Sequence, residues 1–520
     1  MSGKDAFVQL VQQGYSFKGE HFRIGAAMLG GDILPGSDIL LPLRTMNRHG
    51  LIAGATGTGK TKTLQVIAEG LSNASVPVLL MDIKGDLSGI AAAGAENDRI
   101  KERMAKMGGT YTPTAYPVEL LTLSNEKGVR LRATVTEFGP ILLSKILGLN
   151  TTQEGLVAMI FKYCDDNGMP LLDLKDFTKV LQYVSNEGKS TIEKDYGKIS
   201  TSTTGTILRK VIELQQQGAD AFFGEPSFEI DDLLRISDDG RAVISVLRVT
   251  DMQTRPKLFS TFMLSLLAEL YATLPEEGDL EKPKLIMIID EAHLVFQEAT
   301  DALLQQIETV IKLIRSKGVG IFFCTQNPQD IPASVLSQLG LKVQHALRAF
   351  TAADRKTIKQ AAENYPETEF YDVDELLTQL GIGEAFVTIL NEKGIPTPLV
   401  HTMLVPPQSR MDVLSDQEID ALVSKSKLVK KYADTDDAQS AYEILNAKME
   451  EAAAKSDERS EEKKTYKRRE KSTMEKVLDN SVTRQIGRTA ANVITRSLLG
   501  ALGLGGRSST RKRKNSDSWF

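Results

Sequence analysis

Eight consecutive residues, Gly54-Ala55-Thr56-Gly57-Thr58-Gly59-Lys60-Thr61, match the pattern Gly-x-x-x-x-Gly-Lys-Ser/Thr. The residue types suggest the chemistry. Glycines at 54, 57 and 59 let the backbone turn so that its N–H groups wrap an anion. Lys60 offers a cation to the outer phosphates of a polyphosphate, and Thr61 offers a hydroxyl to a divalent cation. Gly54 to Lys62 is therefore the candidate nucleotide-binding segment. His49 to Ala53 is a short apolar run readable as a strand, and Thr61 to Leu71 reads as a helix with Leu64, Ile67, Ala68 and Leu71 on one face. A phosphate held by the loop would then rest on the helix N-terminus. The alternative is a glycine-rich turn with an incidental lysine.

Acids follow downstream. Leu285 to Ile289 is an apolar run ending in Asp290-Glu291. Asp290 suits Mg²⁺ and Glu291 suits polarisation of an attacking water. A buried strand capped by acids at its exposed end is the plainer reading, which the upstream loop disfavours. Val319 to Thr325 is another apolar run, and Gln326 follows it where a γ-phosphate sensor would stand, or where any strand turns polar. Asp82-Ile83-Lys84-Gly85-Asp86 follows a strand over 76–82. Asp82 either assists the water or metal, or belongs to a strand-to-helix turn using Gly85. Arg315 closes a helical run at 299–316 and Arg348 ends a strand over 341–347. Either could stabilise phosphoryl charge from a neighbouring subunit, and an arginine in a last helical turn also complements the dipole.

These residues need a parallel sheet to bring them together. Strand candidates at 242–248, 284–290, 319–325, 341–347 and 385–390 alternate with amphipathic runs at 257–274 and 299–316. That alternation predicts an α/β fold with helices covering a parallel sheet. Residues 1–48 read as a small β segment of short strands and turns, and 110–137 as a strand pair. Residues 138–235 read as a helical insertion into a core spanning 49–405, and Pro406-Pro407 as the end of that core. Polar helices over 415–470 then lead to a basic, glycine-rich tail.

The chain has 520 residues, 41% hydrophobic and 25% charged, enough for a sizeable core. Its two cysteines, Cys164 and Cys324, exclude a disulfide framework and a Cys-x-x-Cys metal site. No signal-like core and no spanning apolar run are seen, so a cytoplasmic location is expected. The net charge of −5 is uneven: residues 463–520 carry 15 Lys/Arg against 4 Asp/Glu, a basic tail on an acidic body. An apolar stripe at Met474, Leu478, Val482, Ile486, Ala490 and Ile494 and the run Arg511 to Lys514 suggest an attachment arm for DNA, a protein partner or an anionic surface.

Taken together, Lys60-Thr61, Asp82 to Asp86, Asp290-Glu291, Arg315 before Gly318-Val319-Gly320, and Gln326 resemble the HerA/FtsK group of RecA-like motor ATPases. Further stretches are similar to the bacterial HerA-like YjgR family of ATPases over about residues 15–405: Asn47 to Thr61, Thr152 to Gly155, Phe222 to Pro226, Leu313 to Gly320, Thr325 to Pro328 and Gln344 to Arg348. The resemblance implies a P-loop sheet with an extra strand between the two acidic and glycine-rich motifs, ATP and Mg²⁺ as ligands, a hexameric ring, and DNA as substrate. It tips the trans-acting role toward Arg315. The first 48 residues are too few for the β-barrel of HerA proper. Asp290-Glu291-Ala292-His293 also spells the DEAH helicase box, but the arginine-rich final motif of those helicases is missing, and no Asn-Lys-x-Asp stretch follows to read guanine. The alternative function is an ATP-regulated scaffold acting on a protein partner or membrane surface without moving DNA.

Overall fold

A computed structural model describes residues 3–278, 280–296, 301–349, 351–433, 440–447 and 450. Twelve strands form one sheet: β1 His21–Leu29, β2 Asp32–Pro42, β3 Gly50–Ala53, β4 Val78–Asp82, β5 Val118–Thr122, β6 Val129–Arg130, β7 Ile244–Arg248, β8 Leu285–Ile289, β9 Val319–Thr325, β10 Leu341–Gln344, β11 Glu384–Thr388 and β12 Val400–Leu404. Their order is β2-β1-β12-β11-β10-β3-β9-β8-β4-β7-β5-β6. From β10 to β6 every pairing is parallel, while β11, β12, β1 and β2 add on antiparallel.

The central strands β3, β4, β8 and β9 are buried along their whole length. Sequences such as Leu-Ile-Met-Ile-Ile are what a strand covered on both faces requires. The helix Lys60–Asn73 follows β3, and its Leu64, Ile67, Ala68 and Leu71 are buried in the main core with β-strand residues Ile52, Leu80, Ile288 and Phe322. β9 lies between β3 and β8. The expected extra strand is therefore present, and in sequence it follows the acidic motif. The gap between the two motifs holds β4 to β7 and the helical insertion. Between β6 and β7 the regular elements are helical, from Val135–Ile146 through Thr201–Gln216 and two short turns.

Three expectations need correction. The amino-terminal segment is not only strands and turns, because Gly3–Gly14 is a helix that buries Phe7 and Val11. Its Tyr15 continues the same spacing of four and donates to the carbonyls of Val387 and Pro398, each at 2.9 Å. The strand pair expected over 110–137 is β5 with a two-residue partner, β6, that runs parallel to it. Finally, Pro406-Pro407 does not end the packed chain. Residues 408–414 cross the outer face of the Lys60–Asn73 helix: Glu69 accepts from the N–H groups of Gln408 and Ser409 (2.9 Å each) and from the Ser409 hydroxyl at 2.5 Å. Ser409 is fully buried, and Leu414 and Ile419 join the main core. Helices Asp416–Lys425 and Lys427–Ala433 follow, and Tyr442 N–H then donates to Asp176 of the insertion at 2.8 Å. The basic tail, with its apolar stripe and Arg511 to Lys514, lies outside the described residues. Among those described, no helix is long and apolar enough to cross a membrane.

Candidate nucleotide site

Register alone puts the candidate residues on one edge. Ala53 pairs with Thr325, Ile289 with Phe323 and Met81 with Ile289, so residues 54, 326, 290 and 82 leave their strands side by side at the carboxyl ends. Ligands bind at that edge in parallel α/β sheets.

The loop after β3 is anchored by its backbone. Gly54 N–H donates to Thr325 O at 3.2 Å and Ala55 N–H to Ala346 O at 2.8 Å. The Thr58 hydroxyl closes the turn on Ala55 O at 2.7 Å. Gly57 and Gly59 have φ of 79° and 112°, left-handed values that disfavour a side chain. Gly54 has a second reason to be glycine, since a Cβ there would come within 2.5 Å of the His345 Cβ. Lys60 is buried and donates to Gly54 O at 2.6 Å and Ala55 O at 3.0 Å. Burial pulls its ammonium below the ordinary range, with Asp290 and Glu291 acting in the opposite direction. Thr61 donates to Asp86 Oδ2 at 3.3 Å, and the Lys62 ammonium reaches Met411 O. Thr56 sits in the turn that the Thr58 hydroxyl closes on Ala55 O.

Asp290 is buried, and burial raises its pKa while Lys84 opposes that shift. Its Oδ2 has no hydrogen-bond partner among the described residues, and neither does Asp86 Oδ1. A buried carboxylate oxygen without a partner is costly unless a cation completes it. Glu291 has φ of 46°, a strained value for a non-glycine residue at a functional edge. Its oxygens lie against the Lys84 ammonium and, at 3.2 Å, His293 Nδ1, as charge contacts without directed hydrogen bonds. Burial pushes the Glu291 carboxyl up, but Lys84 outweighs it and holds the group below the usual carboxylate range, with His293 and Gln326 helping. Gln326 is therefore beside Glu291, on the exposed rim.

Asp82 is held by the backbone of the turn that follows it. Its Oδ1 accepts from the N–H groups of Gly85 (2.7 Å) and Asp86 (3.1 Å), and its Oδ2 from that of Leu87 (3.1 Å). Burial pushes its carboxyl up to about 7 against those bonds. The turn it builds delivers Lys84 to Glu291 and Asp86 to Thr61. Both lie in the Asp82 to Asp86 motif, whose spacing does not signal these contacts. His345 is a further participant that the sequence does not signal. It packs under Gly54, shares a 2.9 Å hydrogen bond with Thr63, and is held neutral by burial, which lowers its pKa to about 4.

Arg315 is not brought to this edge. It is exposed and precedes β9, so the whole strand separates it from Gln326, roughly 20 Å at the usual rise per residue. Its near neighbour is His49, at the amino end of β3. Arg348 stays on the carboxyl side, where its guanidinium donates to Thr378 O at 2.9 Å.

The sequence profile described as "Helicase HerA-like C-terminal" matches residues 31–509. This chain belongs to that HerA-like family. Its relatives include the DNA double-strand break repair helicase HerA of Sulfolobus acidocaldarius, 20% identical over 377 residues, which cover 72% of this chain and 69% of that protein. HerA of Sulfurisphaera tokodaii is 22% identical over 369 residues, 70% of this chain and 66% of the relative, so this HerA-like chain spans about two thirds of such proteins. The DNA import protein CedB of S. acidocaldarius is 23% identical over 371 residues, covering 69% of this chain and 52% of its own. Among solved structures, the bacterial conjugative coupling protein TrwB covers 80% of this chain and 95% of its own, at 13% identity and a TM-score of 0.49.

Proposed function

We propose that this HerA-like protein is a Mg²⁺-dependent ATP hydrolase that assembles as a ring and works on DNA. The observation that carries the reading is one sheet edge that gathers a glycine-rich N–H cradle, Lys60, Thr61 and the buried acids Asp290 and Glu291. In this reading the amides of residues 54–62 and the Lys60 ammonium bind the phosphates. Thr61 and Asp290 hold Mg²⁺, a fit supported by the unpartnered Asp290 Oδ2. Bound there, the ion draws charge from the phosphate oxygens. Glu291 polarises the attacking water, with Gln326 beside it to report the terminal phosphate. Asp82 holds the turn that carries Lys84 and Asp86. Arg315, far from its own subunit's site, serves the site of a neighbour. DNA as substrate class rests on the relatives named as a DNA repair helicase and a DNA import protein.

ATP turnover of the full chain, measured with and without duplex and single-stranded DNA, tests this. DNA is expected to raise the rate several-fold. Glu291→Gln is expected to bind ATP but hydrolyse it about a hundredfold more slowly, having lost only the group that polarises water. Wild-type turnover in that variant would remove Glu291 from the mechanism. Hydrolysis indifferent to both forms of DNA would favour the ATP-regulated scaffold.

A further inference from the structure

Two large apolar side chains stand in water beside the phosphate cradle. Ile382 is 74% exposed and Met411 is 36% exposed. Both belong to segments tied to the cradle. Gly383 donates its N–H to Thr58 O at 3.0 Å, and a Cβ on Gly59 would lie 3.2 Å from the Gly383 nitrogen. On the other segment, the Met411 carbonyl accepts from the Lys62 ammonium. Each is pinned from behind. Arg103 donates to Ile382 O at 2.8 Å, Gln65 donates to Arg410 O at 3.0 Å, and Arg410 N–H reaches Ala92 O at 2.8 Å. A single exposed apolar residue on a surface needs no explanation. Two of them, on rigid backbone fastened to the same five residues, 58 to 62, point to something they cover.

The phosphates of a nucleotide on this loop end at the first turn of the Lys60–Asn73 helix, so the sugar and base emerge past residue 62. We propose that Ile382 and Met411 form the apolar walls of the nucleobase seat, against which the purine of bound ATP lies. This rests on the reading of the loop as an ATP site. A purine has apolar, polarisable faces and polar edges. Aliphatic walls remove the faces from water, and a methionine thioether adds favourable contact with an aromatic ring. Such walls grip the face and do not read the edge. A pocket without a fixed hydrogen-bonding partner discriminates weakly between ligands that differ in polar groups. If the faces are the only contact, adenine and guanine are accepted alike, and the missing guanine-reading motif then signifies no selection for guanine and not its exclusion.

The test is calorimetric binding to the full chain of three probes: ADP, GDP and inorganic tripolyphosphate, which has no base. In the double variant Ile382→Ser, Met411→Ala, ADP affinity is expected to fall about tenfold, while tripolyphosphate stays within about twofold of wild type. Ile382→Leu should retain ADP binding. Wild-type affinities for ADP and GDP should agree within about tenfold. Unchanged ADP binding in the double variant, or a parallel loss of tripolyphosphate, would overturn the proposal, the latter by showing that the pair shapes the loop. GDP weaker than ADP by about a hundredfold or more would overturn contact by the face alone. A wild-type chain that binds neither ADP nor tripolyphosphate overturns the ATP reading as well. Both substituted side chains are solvent-exposed, and an unchanged melting temperature in each variant separates binding from folding.

Discussion

Lys84 and Glu291 make the ion pair on which the pH response of hydrolysis should depend. Burial favours the neutral carboxyl of Glu291, and the Lys84 ammonium reverses that preference. A base that polarises water must be ionised, so activity is lost as pH falls through its pKa. With Lys84 in place that loss is displaced to low pH. Lys84→Ala leaves burial opposed only by His293 and Gln326, and the Glu291 pKa rises. The acidic limb of the rate profile should therefore move to higher pH, with a deeper loss at about pH 6 than at about pH 8. A uniform loss across the range would show that Lys84 acts on the nucleotide and not on Glu291. The gathering of these residues on one sheet edge was legible in the sequence, because a strand, a glycine-rich loop and Lys60-Thr61 admit few other arrangements. The roles of Lys84 and Asp86 were not legible. They depend on which way a turn throws its side chains, and that is decided by three backbone N–H groups choosing Asp82 as acceptor.

At the scale of elements, the segment after Pro407 behaves as a strap on the phosphate-loop helix. Glu69 is buried on that helix, and its carboxylate receives all three hydrogen bonds that fasten Gln408 and Ser409 to it. Glu69→Ala would strand two backbone donors where water is scarce. A loss of about 3 kcal/mol is expected, read as a lowered denaturation midpoint. A chain ending at Pro407 also forfeits the buried Leu414 and Ile419 and should be insoluble or far less stable than the full chain. Equal stability of the two would show the strap to be dispensable. A proline pair is a sound sign that a strand stops, but it says nothing about whether the chain beyond it packs. The helix Gly3–Gly14 is hidden for a related reason: Phe7, Val11 and Tyr15 stand four apart on one buried face, but the strands and turns that follow dominate the pattern of the first 48 residues. The parallel strands were legible because burial on both faces leaves unbroken apolar runs, whereas β12, Val400-His-Thr-Met-Leu404, carries polar residues and gave no such run.

For the molecule as a whole, the position of Arg315 makes a claim about assembly. It lies at the opposite edge of the sheet from its own Glu291, so any part it takes in hydrolysis must be played on another copy. Inactive Arg315→Ala and Glu291→Gln proteins, mixed, should regain part of the wild-type rate, because some interfaces then pair an intact Glu291 with an intact Arg315. A mixture as inactive as its components would remove Arg315 from the site. The sheet itself carries one more consequence, for the order in which the chain matures. β1 has its place only between β2 and β12, where Ala26 pairs with Met403, and the Tyr15 hydroxyl waits for a carbonyl 372 residues away. On a ribosome making about 5–20 residues per second, the first hairpin is thus an open edge for tens of seconds before its partner emerges. Closure of the sheet is a late, long-range event, and the nascent amino-terminal hairpin is where this chain is most exposed to mispairing and where a chaperone would first be needed.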